Sequence, residues 1–480
     1  KEIRMKQLLL IILTAFGLVQ LACYKDKGNY DYKTIAIPEI TGLDSLYKVF
    51  LGDTVIIKPT VTSTDPNAKF GYTWRVSFPK TFSDTTFTDH SFRLIFSFEP
   101  GIYDVRLTIT DSSNGMKYFR DFRLDGHTQF SVGTLVLSQE GATSQLSFVK
   151  PDSTVLPRVY RALHGKDLPG KPLQVIDVIH QYITTNPDLG YWITGSDVND
   201  GGVRLDNSTL LQYSTLRKNF FDVPATAKPG YLECAASGYL QGVINGKLYA
   251  GAWQTYYGSD VYGMFAAPTP GDYELYNRVA YNNVDPYITG YDINRKQFVV
   301  FTNYGGSAAY VGTGYQVKNT VAFDPKDVGL DLIYFQQLND LNCYAFGKAA
   351  NGTLMELKFG AKFMGVVEMD PLYMRAFAQS SLITPTTKWA ATSKEIFYFT
   401  SGDKIYRYNP TNQDIRPLST DFGGKAVTMV KLGDSEDILI AGVDGAVYYL
   451  DVSSGKFGDI IRKYIGIPGA PVDVIKTKKS

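Results

Sequence analysis

The sequence predicts an all-β protein, and three features of its composition support this. Of the 47 acidic residues, 37 are Asp and ten are Glu, and Asp favours turns where Glu favours helices. The chain also holds 44 Gly and 22 Pro, the residues that mark turns. Its 34 Tyr and 28 Phe suit the pleated, half-buried surface of a sheet. A length of 480 residues exceeds one ordinary core, so two or more domains are expected.

The charge of the chain is almost balanced, with 48 Lys and Arg against 47 Asp and Glu. Such a chain has no global field that would attract a polyanion. A nucleic-acid partner is therefore not expected.

The N-terminus has the pattern of an export signal. Basic residues at Lys1, Arg4 and Lys6 precede an apolar run of roughly 12 residues, which is too short to span a bilayer. The run ends at Leu21-Ala22-Cys23, which resembles the lipobox of bacterial lipoproteins. We expect a signal peptide over 1–22, lipidation at Cys23 and a polar tether over 23–34. A secretory peptide with an incidental Cys is the alternative.

A first β domain is predicted over 35–130, where short β runs alternate with turn signals. Clear strands are Thr54–Ile57, Gly71–Val76, Leu94–Phe98 and Tyr103–Ile109. In the last of these, Tyr, Val, Leu and Ile share one face, as in a strand with one buried side.

Two motifs in this stretch resemble the PKD domain, an immunoglobulin-like module named from polycystic kidney disease proteins. The motifs are Tyr72-Thr-Trp74 and the run from Gly101 to Asp111. The resemblance implies a β-sandwich with Trp74 in its core and a spacer role, with binding or adhesion as the alternative.

The part from 131 to 480 contains a recurring pattern. Seven apolar runs follow one another at intervals of 42 to 57 residues, near Gly, Asp or Asn. The runs are Thr134–Leu137, Tyr191–Thr194, Lys247–Ala250, Phe298–Phe301, Thr353–Leu357, Lys404–Tyr408 and Ala446–Leu450. Blades of β-propellers repeat at roughly 40 to 50 residues, and a closed ring buries both faces of every blade. We predict a seven-bladed β-propeller, with six or eight blades, or two packed sandwiches, as the alternatives.

The whole chain resembles the PKD-like lipoproteins of Bacteroidota. The residues that carry this resemblance are the run from Cys23 to Tyr32, the module from Ile35, and Gly133 to Glu140. It implies a lipid-anchored protein of the outer membrane, displayed at the cell surface. It also implies association with a starch-utilisation-type importer, in which a TonB-dependent channel is paired with a binding lipoprotein.

The sequence contains no established catalytic motif. Its four His lie outside any metal-ligand spacing, so no metal site is predicted. Asp197 to Gly202 resembles half of a Ca²⁺ loop, but a hairpin turn explains it more simply. No other cofactor is expected. Cys234 and Cys343 sit among apolar residues, and whether they form a disulfide stays open.

The segment 253–291 holds ten aromatic residues in 39. Many stand beside Gly, Pro, Asn or Asp, as loop residues do, and loop aromatics offer flat faces to sugar rings or peptides. Packing between blades is the competing explanation, which we favour for Phe265 and Tyr276. The predicted ligand-binding residues are Trp253, Tyr256, Tyr257, Tyr262 and Tyr281.

Three functions remain open on the sequence. The first is a non-enzymatic binding or accessory protein that contacts glycan or peptide through these loop aromatics. The second is a propeller glycosidase or lyase that uses Asp carboxylates at the central channel. The third is a structural or adhesion protein without a small ligand.

Overall fold

A computed structural model describes residues 36–78, 82–183, 188–196, 200–257, 259–281, 286–303 and 308–477. Contacts between residues divide the chain into two compact units. The first contains residues 36–47, 54–95 and 103–124, and the second contains residues 48–53, 96–102 and 125–477. In these described ranges no helix has the length and apolar character needed to cross a membrane.

The first unit is built on a β-sandwich. A five-stranded sheet has the order β2-β9-β8-β5-β6, and two small sheets pair β3 with β7 and β1 with β4. The strands are β1 Glu39–Thr41, β2 Leu46–Phe50, β3 Thr54–Ile57, β4 Thr60–Thr62, β5 Phe70–Phe78, β6 Ser83–Phe87, β7 Phe92–Ile95, β8 Gly101–Asp111 and β9 Lys117–His127.

Trp74 lies at the centre of this sandwich, as predicted. Its side chain is fully buried, with its ring 5.4 Å from that of Phe92 and 6.1 Å from that of Phe122. The indole Nε1 donates a hydrogen bond to the carbonyl of Asp89 at 2.8 Å, so burial leaves no polar atom of the ring unpaired. Trp74 is therefore a core residue.

The second unit consists of seven antiparallel sheets, which we number as blades 1 to 7 in chain order. Blade 1 contains β10 Gly133–Glu140, β11 Thr143–Val149, β12 Val155–Leu156 and β37 Ala470–Thr477. Blade 2 contains β13 Pro172–Ile179, β14 Asp188–Gly195, β15 Gly202–Leu205 and β16 Gln212–Thr215. Blade 3 contains β17 Pro229–Cys234, β18 Leu240–Ile244 and β19 Lys247–Ala250. Blade 4 contains β20 Ala280–Tyr281, β21 Tyr287–Asp292, β22 Gln297–Thr302 and β23 Ala309–Gly312.

Blade 5 carries an extra edge strand, β24, which pairs in parallel with β28. Its strands are β24 Gln316–Val317, β25 Asp331–Asn339, β26 Asn342–Lys348, β27 Leu354–Phe363 and β28 Val367–Ala376. Blade 6 contains β29 Trp389–Ala391, β30 Phe397–Ser401, β31 Lys404–Asn409 and β32 Asp414–Pro417. Blade 7 contains β33 Val427–Leu432, β34 Ile438–Val443, β35 Ala446–Asp451 and β36 Asp459–Ile465. The short helices of this unit are α1, Val159–His164, and a 3₁₀ turn at Ser380–Leu382.

The seven-bladed propeller predicted from the repeat is confirmed. Each of the seven aligned runs falls in a different blade. The runs of blades 1 and 2 lie in the second strand from the centre, and those of blades 3 to 7 lie in the third. This change of strand affects only the interval between the second and third runs.

The ring is closed by the last strand of the chain. β37 pairs antiparallel with β10, from Gly133 opposite Thr477 to Gln139 opposite Ala470. The innermost strand of blade 1 therefore comes from the C-terminal end, while its other three strands come from the start of the unit. Opening the ring would expose a blade face and the edge of β10, both of which are costly in water.

Buried aromatic rings fill the space between blades, and between blades 5 and 6 they surround a carboxylate. Glu356, whose side chain is 1% exposed, accepts hydrogen bonds from Tyr408 Oη at 2.5 Å and Tyr373 Oη at 2.7 Å. The guanidinium of Arg375 pairs with it at 3.1 Å and also donates to the carbonyl of Pro410. Tyr408 lies in β31 of blade 6 and Pro410 directly follows that strand, so one buried charge ties two blades together.

We predict that Glu356→Gln destabilises the propeller by about 3 kcal/mol, because it leaves the Arg375 cation without its buried partner. Chemical denaturation followed by tryptophan fluorescence measures the loss. Glu368→Gln in the same blade is the matched control, since that half-buried carboxyl has no hydrogen-bond partner in the described chain. Equal stability of the two variants would show that the Glu356 network does not hold the blades.

Candidate functional site

A cavity of about 840 Å³ lies at the centre of the ring. The innermost strands of all seven blades contribute to its wall, from Gln174 in blade 2 round to Asp473 in blade 1. A volume of this size suits a small molecule or a short oligomer. We call this cavity the channel.

Hydrogen bonds between neighbouring inner strands hold the channel in shape. The side-chain amide of Gln174 in blade 2 pairs with both backbone groups of Leu232 in blade 3, at 2.8 and 3.0 Å. The hydroxyl of Tyr276 donates to the carbonyl of Ile333 in blade 5 at 2.5 Å. Between blades 3 and 4, a Cβ on Gly230 would lie 2.2 Å from the carbonyl oxygen of Asn277, so only Gly permits this approach.

Aromatic side chains form much of the channel wall on the side of blades 3 to 6. They are Tyr231, Tyr276, Tyr281, Tyr334 and Trp389. Trp389 stacks on Tyr334 with 5.2 Å between centroids and 15° between planes. Burial raises the pKa of Tyr276 to about 12, so its hydroxyl stays protonated at any physiological pH. This wall presents flat apolar surface with neutral polar groups at its edges.

Five charged residues of the described chain line the channel: Glu233, Arg278, Lys388, Lys431 and Asp473. Asp473 is occupied, because it accepts hydrogen bonds from Lys431 Nζ at 2.8 Å and from the backbone N–H of Val175 at 2.9 Å. Asp473 and Lys431 thus join blades 7, 1 and 2 and act as a structural clamp.

Arg278 holds its guanidinium over the ring of Tyr231, with the central carbon 4.3 Å from the ring centroid. Such stacking fixes the plane of the guanidinium and leaves its N–H groups directed sideways. In the described ranges, neither Arg278 nor the exposed Lys388 forms an ion pair with a carboxylate. The channel therefore contains two cations without an anionic partner.

Glu233 is the carboxylate nearest to this cationic group. Its side chain is exposed to the space of the channel, although the channel wall surrounds it closely, and its Oε1 accepts a hydrogen bond from Gln241 Nε2 at 3.0 Å. Burial raises the pKa of Glu233 to about 7, against smaller lowering effects of Gln241 and Arg278. Glu233 thus changes charge near neutral pH.

The five ligand-binding residues predicted from the sequence lie in three different environments. Trp253 and Tyr256 are exposed, at 37% and 85%, on the segment after β19. Tyr257 and Tyr262 pack around His180, and Tyr262 is buried with its hydroxyl bonded to the carbonyl of Ser237.

Tyr281, the fifth, lines the channel. Its hydroxyl is buried without a hydrogen-bond partner in the described chain. Burial raises the pKa of Tyr281 well above its usual value, and nearby Glu233 adds to the effect. Of the two residues assigned to blade packing, Phe265 is fully buried and Tyr276 lies in the channel wall.

Sequence reasoning did not find Glu233, Arg278, Lys388 and Trp389. The available signal was the position of the first strand in each repeat, because in a propeller that strand faces the channel. Counting back from the aligned runs to these strands would have selected the region of all four residues. The aligned runs themselves lie in the second or third strand from the centre of each blade.

Several predicted features lie beyond the described residues or outside the channel. Cys23, the signal peptide and the whole tether over 23–34 fall outside the described ranges, as does the 197–199 part of the Ca²⁺-like loop. The remaining Asp of that loop, Asp200, pairs with Arg217 at 3.1 Å. Cys234 and Cys343 are free thiols. The described residues contain no group of three or more His, Cys, Asp or Glu placed to hold a metal ion.

Comparison with known proteins supports the N-terminal resemblance. Residues 23–172 match the sequence model of the PKD-like family, a range that ends where blade 2 begins. A search of curated proteins found no match. The family match and the propeller fold together support a binding or accessory protein.

Solved structures with similar folds are distant in sequence. A quinoprotein alcohol dehydrogenase-like protein from Bacteroides thetaiotaomicron is 14% identical, with a TM-score of 0.43 over 92% of this chain and 99% of that one. The WD40 domain of Toxoplasma gondii coronin is 9% identical, with a TM-score of 0.40 over 69% of this chain and 82% of that one. Dihydro-heme d1 dehydrogenase NirN is 11% identical, with a TM-score of 0.36 over 78% of this chain and 73% of that one. At these values none of the three bears on the activity or cofactors of this chain.

We predict that Glu233→Gln raises the melting temperature at pH 8 and changes it little at pH 4.5. A carboxyl whose folded-state pKa is raised to about 7 loses its stabilising contribution as pH rises from its unfolded value of 4.5 through 7. Gln cannot ionise and keeps a hydrogen-bonding oxygen for Gln241. Thermal unfolding measured across this pH range tests the effect.

Glu395→Gln is the control, and it should change the stability of the protein in the opposite direction. Burial alone would raise the pKa of Glu395, but Lys358 Nζ at 2.5 Å and the hydroxyl of Tyr344 overcome burial and hold it below its usual value. Glu395→Gln should destabilise the protein at pH 7, and its effect should shrink in acid. A pH-independent difference for Glu233→Gln would contradict a raised pKa at that position.

Proposed function

We propose that this chain is a non-enzymatic binding protein that receives a small polar ligand, a glycan or a peptide, in the propeller channel. The observation that carries the proposal is the composition of this one cavity. Its aromatic wall, neutral amides and two unpaired cations converge from separate blades on a volume of about 840 Å³. A concave site in which aromatic side chains and a few placed polar groups converge is a usual form of a ligand pocket.

The channel is a better candidate than the exposed loop aromatics. Trp253 and Tyr256 offer apolar faces to solvent, and no other predicted ligand-binding residue shares that exposure. In the channel a ligand would lose water on several sides at once, which strengthens each polar contact. The loop aromatics form the second candidate surface for the same function.

The proposal includes the location expected from the sequence. Lipidation at Cys23 would hold the protein at the outer membrane, facing the cell surface. The tether over 23–34 and the PKD-like sandwich would then place the propeller away from the membrane. The partners in this proposal are a TonB-dependent importer and its binding lipoprotein, to which the chain would contribute ligand capture.

The enzyme alternative has less support from the channel. Glycoside hydrolysis uses two carboxylates on either side of the bond that is cleaved. Of the two carboxylates in the described part of the channel wall, Asp473 is held by Lys431 and two backbone N–H groups. That leaves Glu233, which accepts a hydrogen bond from Gln241, as the one carboxyl of the described wall outside an ion pair.

Binding to a glycan and peptide array tests the proposed function. The experiment uses the chain from Tyr24 to Ser480, which retains every contact described above, with and without Ca²⁺. We expect retention of a defined glycan or peptide class that does not depend on Ca²⁺. Absence of retention for every glycan and peptide would contradict a binding function and favour the structural or adhesion role.

We predict that Asn277→Trp abolishes this binding, because an indole at an exposed position of the wall fills the channel. The backbone carbonyl of Asn277, which accepts the N–H of Tyr231 at 2.7 Å, is retained in the variant. Titration calorimetry with the best array ligand measures the loss. The matched pair Trp253→Ala and Tyr256→Ala should bind normally, and the reverse result would place the site on the loop.

A further inference from the structure

The charges that remain unpaired in the channel are mainly positive. Asp473 and Lys431 neutralise each other at 2.8 Å. In the described wall this leaves Arg278 and Lys388 against Glu233. A partly enclosed cavity strengthens the attraction between such cations and an anionic ligand.

Arg278 is oriented to receive a carboxylate. Its guanidinium is stacked on Tyr231 at 4.3 Å, which limits rotation of the plane, and beside the hydroxyl of Tyr334 it keeps further N–H groups for a ligand. A guanidinium edge and a carboxylate match in a two-pronged hydrogen bond, the strongest polar contact that the channel can offer. Lys388, exposed on blade 6, adds a second positive charge in the same cavity.

The rest of the wall suits a hydroxylated ring. The half-buried ring of Tyr276 provides apolar surface against which a sugar ring can pack. Asn277 has no side-chain hydrogen bond in the described chain, and the amide N–H₂ of Gln336 is free to donate while its oxygen accepts from Tyr334. Neutral amides that both donate and accept are the usual partners of hydroxyl groups.

We infer that the channel binds an acidic saccharide, with the carboxylate of a uronic acid unit paired to Arg278. This inference rests on the proposed function, since it names the ligand class of the same channel. Arg278 is the specificity-determining residue, because its removal leaves the aromatic wall and the amides in place.

Glu233 makes this pairing depend on pH. The groups that face Glu233 are Arg278, Gln241, Tyr281, Tyr239 and Cys234. Because burial raises the pKa of Glu233 to about 7, it is mostly neutral below that pH and leaves Arg278 to the ligand. Above pH 7 the ionised carboxylate competes for Arg278, so affinity for an acidic ligand should fall by up to about tenfold by pH 8.

The test compares galacturonic acid oligomers with galactose oligomers of the same length by titration calorimetry at pH 6. We expect the acidic oligomer to bind more tightly, and Arg278→Gln to weaken it by about 10- to 100-fold while sparing the neutral one. Arg278→Lys should retain part of the affinity. Arg416→Gln, at an exposed arginine paired to Asp414, is the matched control and should have no effect.

A second measurement keeps the inference testable if Arg278→Gln does not fold. Glu233→Gln should bind the acidic oligomer equally well at pH 6 and pH 8, whereas the natural protein should lose affinity. Equal binding of acidic and neutral oligomers would overturn the inference and leave the proposed function standing. Capture of acidic peptides instead of the saccharide would overturn the ligand class, and absence of any ligand would overturn both proposals.

Discussion

Pairing of the last strand with the first blade is the interaction on which the rest of the propeller depends. β37 adds to β10 along nearly its whole length and supplies the innermost strand of blade 1. Because blades bury their faces only against each other, the ring is stable only when it is complete. The same strand carries Asp473, which bonds to blade 2 through Val175 and to blade 7 through Lys431. The wall of the channel is therefore complete only when the ring is closed.

The channel contains two kinds of polar group, those that hold neighbouring blades together and those that face a ligand. Hydrogen bonds to other blades distinguish the first kind from the second. Asp473, Lys431 and Gln174 are engaged with neighbouring blades and would cost the ring stability if a ligand displaced them. Arg278 forms no ion pair in the described chain, although it stacks on Tyr231, lies beside the hydroxyl of Tyr334 and lowers the pKa of Glu233. The guanidinium has five N–H groups, and those that the fold does not use can contact a ligand in the cavity. This distinction is why the proposal depends on Arg278 and not on the more numerous clamped residues.

The sequence was sufficient for the architecture because the relevant signals are local. Turn residues and aromatic runs recur within each blade, so the seven runs identified seven sheets. The strand expected over Leu94–Phe98 shows the limit of such signals. It ends at Ile95 because the opposite segment turns: the backbone N–H of Asp53 bonds to the carbonyl of Phe50, and the carbonyl of Phe96 accepts from Gly52 instead. A competing backbone partner of this kind is not visible in the pattern of residues.

The channel could not be read from the sequence because its residues are far apart in the chain. Glu233, Arg278 and Trp389 come from blades 3, 4 and 6, and each looks like an ordinary strand or loop residue by itself. Only ring closure brings them to one cavity. By contrast, the density of aromatics over 253–291 is a local signal, and the structure divides that segment between solvent, blade packing and the channel.

The most direct test of the channel as the binding site is a crystal structure of the protein with a galacturonic acid oligomer. We expect electron density for the sugar in the channel, with its carboxylate against Arg278 and a ring against Tyr276. Density at Trp253 and Tyr256 with an empty channel would contradict the account and move the function to the loop.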